Sequence, residues 1–380
     1  MDYFKKSLEL HEKLQWKLEV KSKIKIENKD DLSVAYTPGV AEPCKVIAKD
    51  PSQARKLTLK WNTVAVVSDG SAVLGLGNIG PEAALPVMEW KAVLFKEFAD
   101  VNAFPIVLDT QDTEEIIKAV KQIAPTFGGI NLEDISAPRC FEIEERLKKE
   151  LDIPVFHDDQ HGTAVVVLAG LINALKITGK EKDKIKVVVN WLWAAWTAII
   201  KLLKKYGVQN IVALDSKWAI CSKRTDLNDA KKEILKITNP ADECWKLEDV
   251  IENADVFVGV SVWAVLKPEM VKKMASDAII FAMANPIPEI MPDEAKKAGA
   301  RIVATWRSDF PNQLNNVLVF PGIFKWALQN QVRQITDEHK IAAAEALASY
   351  VKNPTEDKII PSPLDKKVAD IVASVIKNLK

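Results

Sequence analysis

Two acidic pairs each follow a short apolar run of the sequence. Glu133-Asp134 comes after Gly129–Leu132, and Asp158-Asp159 comes shortly after Pro154–Phe156. If both runs are parallel strands, the carboxylates meet at the sheet edge where ligands of open α/β sheets gather. Carboxylates at one point repel one another unless a divalent cation neutralises them, and all-oxygen ligation favours Mg²⁺ or Mn²⁺. The alternative interpretation is that these acidic residues only cap helices.

A glycine-rich stretch in the first half of the chain has the spacing of a dinucleotide fingerprint. Gly75, Gly77 and Gly80 fit the pattern G-x-G-x-x-G. A fingerprint starts at the tip of a strand and opens a helix, so that the pyrophosphate meets the helix N-terminus. Here residues 68–74 separate the preceding apolar run from the motif, and Asp109 lies 34 positions after Gly75 instead of about 20. The context therefore argues against a cofactor site in this stretch.

A second stretch has the right context and the wrong residues. Lys186–Val189 is a strand candidate, Thr197–Tyr206 is a helix candidate, and Asp215 follows Trp191 by 24 positions, where a carboxylate would reach the adenosine ribose hydroxyls. A tryptophan occupies all three glycine positions of this turn, and its side chain would obstruct the close approach of backbone to pyrophosphate. The candidate cofactor residues of the turn are Asn190, Trp191, Trp193, Ala194, Ala195 and Trp196.

Composition limits the classes of partner. The chain has 380 residues, enough for two domains, and its 52 basic residues balance 52 acidic ones. No net field recruits nucleic acid or an anionic membrane, so we expect no nucleic-acid and no membrane partner. Small molecules or copies of the same chain are the expected partners.

The cysteines and the apolar runs favour a soluble cytoplasmic protein. Cys44, Cys140, Cys221 and Cys244 are far apart in sequence and form no metal-ligand or redox spacing. We expect them to be reduced packing residues. The most apolar run, Ala164–Leu175, is shorter than a bilayer span.

Val- and Ile-rich runs alternate with segments of helical period, which indicates parallel βαβ units. We predict an α/β fold with an N-terminal α/β substrate domain in residues 1–160 and a C-terminal Rossmann-type, doubly wound dinucleotide-binding domain in residues 161–380. The predicted strands are Val64–Val67, Ala103–Leu108, Gly129–Leu132, Pro154–Phe156, Lys186–Val189, Asn210–Leu214, Val256–Val260, Ala278–Phe281 and Arg301–Ala304. The predicted helices include Thr113–Ile123, Cys140–Glu150, Thr163–Leu175, Thr197–Tyr206, Leu227–Ile237, Ile335–Val351 and Leu364–Leu379.

Several motifs together resemble those of the short bacterial malic enzymes over nearly the whole chain. The long members of that family place an arginine near position 72, where this chain has Ala72, as short members do. The stretch Gly75–Pro81 is among the matching motifs, and the resemblance assigns it to the substrate domain. The others are 36–43 (YTPGVAEP), 68–70 (SDG), 86–89 (PVME), 131–134 (NLED), 156–164 (FHDDQHGTA), 285–286 (NP) and 315–316 (NN).

The resemblance implies roles for individual residues. Tyr36 and Lys91 match the acid/base pair, and Asp158 matches the carboxylate beside that lysine. The remaining roles are metal ligation by Glu133, Asp134 and Asp159, and binding of the substrate carboxylate and nicotinamide by Asn285, Asn315 and Asn316. His157 and His161 flank the acidic pair, and structural duty is expected of both, since the family uses oxygen ligands.

The implied reaction is the oxidative decarboxylation of malate to pyruvate and CO₂ with NAD or NADP, in a homodimer that requires Mg²⁺ or Mn²⁺. Lys91 would take the proton of the C2 hydroxyl, and Tyr36 would protonate the enolate at C3. Asp215 favours NAD because a carboxylate repels the 2′-phosphate of NADP, and Ser216 and Lys217 soften that preference. The alternatives are a metal-dependent oxaloacetate decarboxylase without redox activity, a non-enzymatic nucleotide-binding scaffold, or a polypeptide that the tryptophans inactivate.

Glycine is scarce and tryptophan abundant, with 14 glycines and 11 tryptophans where glycine averages about 7% of residues. Aligned by motif, ten tryptophans occupy positions where the family commonly has glycine, and only Trp61 does not. We hypothesise that UGA codons read as glycine were translated as tryptophan, and UGG codons at these positions would refute this. The ten are Trp16, Trp90, Trp191, Trp193, Trp196, Trp218, Trp245, Trp263, Trp306 and Trp326.

We expect the chain with its tryptophans to fold poorly or to bind no dinucleotide. Each forced side chain costs about 1–3 kcal/mol in a tightly packed site, and ten such costs would exceed a stability of about 5–15 kcal/mol. Isothermal titration with NADH checks this, with the variant Trp191→Gly/Trp193→Gly/Trp196→Gly as the matched comparison. Micromolar binding by the chain with its tryptophans would contradict the expectation.

Overall fold

The structure is a computed structural model and describes residues 3–73, 75–191 and 195–376. Two parallel sheets form its frame, one of four strands in the order β2-β1-β3-β4 and one of five strands in the order β6-β5-β7-β8-β9. Each of the nine predicted runs forms a strand, with ends that differ by at most two residues. The strands are β1 Thr63–Ser68, β2 Asn102–Val107, β3 Gly129–Leu132, β4 Val155–His157, β5 Lys186–Trp191, β6 Asn210–Leu214, β7 Val256–Val260, β8 Ala278–Ala282 and β9 Ala300–Thr305.

Helices cover both faces of both sheets. In the first half they are α1 Tyr3–Leu14, α2 Lys29–Ala35, α3 Ala41–Lys49, α4 Ala54–Leu57, α5 Pro81–Ala99, α6 Thr113–Ile123, α7 Arg139–Glu150 and α8 Asp158–Thr178. In the second half they are α9 Ala195–Tyr206, α10 Asp229–Leu235, α11 Leu247–Val250, α12 Pro268–Val271, α13 Pro292–Lys297, α14 Phe320–Gln329, α15 Asp337–Tyr350 and α16 Lys367–Ile376. The α/β class predicted from the sequence is confirmed.

Strand β1 shows why the first sheet is sandwiched between helices. All six of its residues are buried, as expected of a central parallel strand. Val64 and Val66 pack in one core cluster with Phe95 of α5. Ala65 and Val67 pack in another cluster, which also contains residues of α6 and α7. Alternate side chains of the strand therefore hold helices on opposite faces of the sheet.

Helix α8 connects the two sheets through the centre of the molecule. It follows β4 directly, packs on α9 and α15, and ends at Gly179 in the left-handed conformation with φ 70°. Its 21 residues are long and apolar enough to cross a membrane by length and composition. Residues 162–175 are all buried inside the protein, so α8 is the central core helix. Since α8 begins at Asp158 and packs on second-half helices, the boundary at residue 160 stays a prediction.

The expectation that all cysteines are reduced is wrong for one pair. Cys221 and Cys244 form a disulfide with their Cα atoms 5.5 Å apart. Between them the chain turns back, and the Ala219 N–H donates to the Trp245 carbonyl at 3.0 Å, which joins the two stretches. Such a long-range pairing leaves no trace in sequence spacing. The other two cysteines are free, Cys44 exposed and Cys140 buried.

The structure also limits the loss of folding stability that the tryptophans together were expected to cause. Five of the ten are exposed side chains on the surface, where no tight packing opposes a large ring: Trp16, Trp90, Trp218, Trp245 and Trp263. Trp196 and Trp326 are buried in the largest core cluster, and Trp306 packs at its edge. The side chain of Trp191 and the whole of Trp193 lie outside the described part. A penalty at all ten positions is therefore not supported.

Candidate active site

The acidic pairs emerge side by side at the carboxyl edge of the first sheet. Strand β3 lies between β1 and β4, and Leu132 of β3 stands opposite His157 of β4. The residues directly after these two positions are Glu133-Asp134 and Asp158-Asp159. Register alone thus brings both pairs to one place, as the sequence indicated.

Three carboxylates of this edge form a cluster. One oxygen of each of Glu133, Asp134 and Asp159 lies within 4.8 Å of the other two. The Asp134 N–H donates to Asp159 Oδ2 at 2.8 Å, and Asp134 has a left-handed backbone with φ 53°. The Ala72 N–H donates to the Asp134 carbonyl at 2.9 Å. These contacts fix the turn that carries the cluster.

Lys91 enters the same site from helix α5. Its side chain is buried, and Nζ lies 2.7 Å from Asp158 Oδ2 and 2.8 Å from Glu133 Oε1. The ammonium also lies 4.2 Å from the ring centroid of Phe320, a cation–π contact. Burial lowers the pKa of Lys91, but Asp158, Glu133 and Asp159 together outweigh burial and hold that pKa above its usual range. The lysine is therefore charged in the metal-free chain, and its use as a base requires that the carboxylates be neutralised.

The pKa values of the carboxyl groups are raised by burial. Burial raises the pKa of Asp158 to about 7 and that of Asp159 to about 6, and Lys91 offsets only part of this. Burial also raises the pKa of Glu133 and that of Asp134, and Asp159 adds to both. Three buried carboxylates and the partly exposed Asp159 surround the ammonium of Lys91, so the site holds excess negative charge that must be compensated.

Three buried oxygen atoms in this site accept no hydrogen bond within the described structure: Asn131 Oδ1, Asp134 Oδ2 and Asp158 Oδ1. Buried acceptors of this kind are otherwise satisfied in folded proteins. A hard divalent cation such as Mg²⁺ or Mn²⁺ takes oxygen ligands, so the donor set fits such an ion. The predicted ligands Glu133, Asp134 and Asp159 form the group whose oxygens lie close enough together to hold such an ion.

Asp158 is positioned by its neighbours on two other elements. The Asn316 amide Nδ2 donates to Asp158 Oδ2, the oxygen that also accepts from Lys91. A Cβ atom on Gly162 would lie 1.9 Å from Asp158 Oδ1, so only glycine leaves room for this carboxylate on the first turn of α8. The glycine is thus required by a close approach.

The intact glycine motif lies in the first sheet, between β1 and α5. Gly75, Gly77 and Gly80 have positive φ, and α5 begins directly after Gly80. A Cβ atom on Gly70 would lie 2.1 Å from the Gly80 carbonyl oxygen, so the two glycines close this loop. The motif shapes the loop above β1 and belongs to the half of the chain that holds the acidic cluster.

The candidate cofactor turn is only partly described. Asn190 Nδ2 donates to Ser261 Oγ at 3.0 Å across the carboxyl ends of β5 and β7. Ala195 and Trp196 begin α9 with buried side chains. Trp193, Ala194 and the side chain of Trp191 lie outside the described residues. Trp196 packs in the core with α8, so its ring occupies the interior and not the solvent side of the turn.

Asp215 stands at the end of β6, and both of its oxygens are engaged within the chain. Oδ2 accepts from Arg224 at 2.7 Å and from Lys231 at 2.6 Å. Oδ1 accepts from the backbone N–H of Lys217 at 2.9 Å. Burial opposes ionisation, but the hydrogen bonds from Arg224 and Lys231 dominate and lower the pKa of Asp215 to about 2. The carboxylate is an anchor for two cations.

Three candidate residues make no hydrogen bond to the acidic cluster within the described residues. Asn285 is exposed in the loop after β8, next to the cis peptide bond with Pro286. Asn315 accepts from the Val317 N–H at 2.9 Å, as the N-cap of a 3₁₀ turn. Tyr36 ends helix α2 and is 66% exposed, and no hydrogen bond joins its hydroxyl to the cluster within the described residues. No hydrogen bond joins Tyr36 to Lys91 in the part of the chain that the structure describes.

Sequence reasoning missed several supporting residues. Asn131 Nδ2 donates to Glu133 Oε2 at 2.9 Å, and buried Asp69 pairs with Arg139 at 2.9 Å below the glycine loop. Glu289 is fully buried and accepts from the N–H groups of Ser261 and Ala284, which joins the loops after β7 and β8. Asn131 and Asp69 lie within the motifs 131–134 and 68–70, so their position in these motifs could have indicated a role in the site. For Glu289 no signal existed.

Comparison with known proteins decides the family. The model "Malic enzyme, N-terminal domain" matches residues 15–148, and "Malic enzyme, NAD binding domain" matches residues 160–379. The bifunctional malic/malolactic enzyme of Bacillus subtilis is 59% identical over 379 residues, which cover 99% of this chain and 92% of that protein. This chain belongs to the malic enzyme family. The NAD-dependent malic enzyme of Geobacillus stearothermophilus is 60% identical over 365 residues, 95% of this chain and 76% of that protein.

A solved structure agrees over the whole fold. The NAD-dependent malic enzyme of Thermotoga maritima superposes with a TM-score of 0.95 and 51% identity, covering 98% of this chain and 99% of that one. The fold is therefore that of a malic enzyme, with an NAD-binding domain of Rossmann type. Membership makes this chain an NAD(P)-dependent oxidoreductase.

Adding a divalent metal should stabilise the folded chain, because the metal neutralises the excess negative charge of the acidic cluster. We expect Mn²⁺ at about 100 times its Kd to stabilise the chain by about 2.7 kcal/mol, measured as a rise in Tm. Asp159→Asn should abolish this rise, because it removes a ligand. Without metal the same variant should melt no lower than the parent, because one of the mutually repelling carboxylates is gone.

The matched control is Glu248→Gln, an exposed carboxylate on α11, which should keep the full response. A Mn²⁺-dependent rise in Tm that survives in Asp159→Asn would place the metal elsewhere.

Proposed function

We propose that this chain catalyses the oxidative decarboxylation of malate to pyruvate and CO₂ with reduction of NAD or NADP. The observation that carries the proposal is the buried position of Lys91, held between Asp158 and Glu133 beside the carboxylate trio. A lysine so placed is poised to exchange a proton with a substrate hydroxyl at that point. The family of the chain supplies the substrate, because its relatives are named malic enzymes.

Within this proposal the residues of the site divide the work. Lys91 accepts the proton of the malate C2 hydroxyl, and Asp158 and Glu133 orient its ammonium by ion pairs from two sides. Asn316 fixes Asp158, while Gly162 makes space for it. A divalent cation held by Glu133, Asp134 and Asp159 would polarise the C2 oxygen and, by neutralising the carboxylates, lower the pKa of Lys91 toward the range of a base.

The proton for C3 requires a second copy of the chain. Helices α1, α2 and α3 contain no buried residue, and apolar side chains close to Tyr36 in sequence, such as Leu32, Val34 and Val40, are exposed. An apolar arm of this kind is stabilised when a partner covers it. We infer that the chain forms a homodimer in which the arm lies on the partner, so that Tyr36 acts in the partner's site.

The reaction needs the NAD(P) pool of the cytoplasm, and we propose that location.

Oxaloacetate decarboxylation without redox is the competing function, since the acidic cluster lies on the first sheet, away from the cofactor turn. Release of CO₂ from oxaloacetate together with no malate-dependent NADH formation would favour it.

A complementation experiment tests both the base and the dimer. Lys91→Arg keeps the ion pairs but cannot act as a base, so we expect malate oxidation to fall by about 10²–10⁴-fold. The malate oxidation activity of Tyr36→Phe should fall by a similar factor. Co-expression with two affinity tags isolates heterodimers of the two variants, and one of their two sites then has both groups intact. About half of the parent activity per dimer should return.

Assays should use the chain as written and the chain with Trp191, Trp193 and Trp196 replaced by glycine. Lys96→Arg, on the exposed face of the same helix, is the control and should keep full activity. If Tyr36 acted within its own chain, the heterodimer would stay as inactive as its parents.

We further propose that the chain accepts NADP as well as NAD. Asp215 is already neutralised by Arg224 and Lys231, and the nearby Lys217 pairs with Asp226 at 2.6 Å. Three cations against two carboxylates leave a positive surplus at the adenosine end of the cofactor site. Such a surplus accommodates a 2′-phosphate that a free carboxylate would repel.

The ratio of kcat/KM for NADP to that for NAD tests this proposal. Arg224→Ala should lower the ratio by about 10–100-fold, the loss of one charge-assisted hydrogen bond of about 1.5–3 kcal/mol. Arg301→Ala, a surface arginine paired with Asp277, should leave the ratio unchanged. An Arg224→Ala ratio equal to that of the parent would show that these cations do not select the cofactor.

A further inference from the structure

His157 is a fully buried imidazole at the edge of the acidic cluster. It is the last residue of β4 and the N-cap of α8, directly before Asp158 and Asp159. Its backbone N–H donates to Glu144 Oε1 at 3.0 Å. The mechanism proposed above gives this ring no task.

Glu144 makes the position of His157 rigid. This buried carboxylate of α7 also pairs with Lys148 at 2.7 Å and with His161 Nε2 at 2.9 Å. One carboxylate thus ties the end of β4 to the first turn of α8 and to α7. These contacts hold the backbone of His157 in place at the edge of the cluster.

The two ring nitrogens of His157 have different neighbours. Gln160 Nε2 donates to Nδ1 at 2.8 Å, so Nδ1 is the acceptor and the ring proton is on Nε2. Nε2 lies 3.4 Å from Asp159 Oδ2, outside hydrogen-bond geometry, and has no hydrogen-bond partner in the described structure. Buried N–H groups are otherwise paired in folded proteins, and the Asp159 carboxylate is the acceptor within reach of this one after a small adjustment.

Asp159 Oδ2 accepts one hydrogen bond and has a second potential donor beside it. The Asp134 N–H donates to it at 2.8 Å, and His157 Nε2 lies 3.4 Å away. A second hydrogen bond from His157 would fix the plane of the carboxylate. In metal sites, such outer hydrogen bonds set the direction of the ligand and tune the affinity for the ion.

We propose that His157 is a positioning residue, which donates from Nε2 to Asp159 and thereby sets the affinity of the acidic cluster for Mn²⁺ or Mg²⁺. The inference rests on the metal site of the proposed function. It assigns His157 a role in the site through Asp159, without direct ligation of the ion.

Two substitutions of His157 separate this role from simple packing. Glutamine places an N–H near the former Nε2, and asparagine places its amide near the former Nδ1. His157→Gln should keep the Mn²⁺ affinity within a few-fold. His157→Asn preserves an acceptor for Gln160 but loses the donor to Asp159, and should weaken Mn²⁺ binding by about 10–100-fold.

Binding is measured by electron paramagnetic resonance of free Mn²⁺ during titration of the chain as written, with no cofactor or substrate. The paired controls are His11→Asn and His11→Gln on the surface helix α1, which should leave the affinity unchanged. Equal affinity in His157→Asn and the parent would overturn the proposal, as would equal losses in His157→Asn and His157→Gln. Failure of the parent to bind Mn²⁺ would instead refute the metal site, and with it the task assigned to His157.

A measurement on the unsubstituted chain keeps the test open if a variant does not fold. The chain has four histidines, so ¹⁵N-histidine labelling gives a simple long-range ¹H–¹⁵N spectrum of the rings. We expect a buried ring with its proton on Nε2 that shifts when Mg²⁺ is added. A proton on Nδ1 of that ring would contradict the donation to Asp159.

Discussion

The structure of the site depends on the excess negative charge at the carboxyl edge of the first sheet. Buried Glu133, Asp134 and Asp158 and the partly exposed Asp159 share this edge with the ammonium of Lys91. Removing carboxylates from water is unfavourable unless hydrogen bonds and cations replace the solvent. The surrounding chain supplies part of that replacement through the Asp134 N–H and the amides of Asn131 and Asn316. Asp134 Oδ2, one of the oxygens left without a donor in the described structure, belongs to the carboxylate trio that would hold a divalent ion.

This constraint explains several local features together. Gly162 is needed because any side chain would enter the space of Asp158, and the left-handed turn at Asp134 is needed to direct its carboxylate inward. The parallel register of β3 and β4 places both acidic pairs at one edge, and α5 runs back across the sheet so that Lys91 reaches them. The hydrogen bond from the His157 N–H to Glu144 holds the end of β4 at the same edge. The fold thus positions the charges, and their mutual compensation fixes the geometry.

The sequence was informative where the signal is local. Apolar runs such as Asn210–Leu214 coincide with their strands because a buried parallel strand is apolar on both faces. The convergence of the acidic pairs was predictable because both follow parallel strands, and ligands of open α/β sheets bind beyond the carboxyl ends of such strands. Features that depend on distant loops were not predictable. The disulfide of Cys221, the cations around Asp215 and the exposed position of Tyr36 each require the path of the chain between elements, and no spacing encodes that path.

The tryptophan positions divide by the same reasoning. In a dinucleotide turn the first glycine permits the tight turn, the second lets the backbone approach the pyrophosphate, and the third allows the helix to pack closely on its strand. Trp196 occupies the third position, and its side chain is buried in the largest core cluster, which also contains residues of α8. Obstruction of the pyrophosphate, if the tryptophans cause it, therefore depends on positions 191 and 193. Replacing Trp196 alone by glycine should leave dinucleotide binding unchanged and remove core packing, so the binding defect and the stability effect of these residues are physically separable.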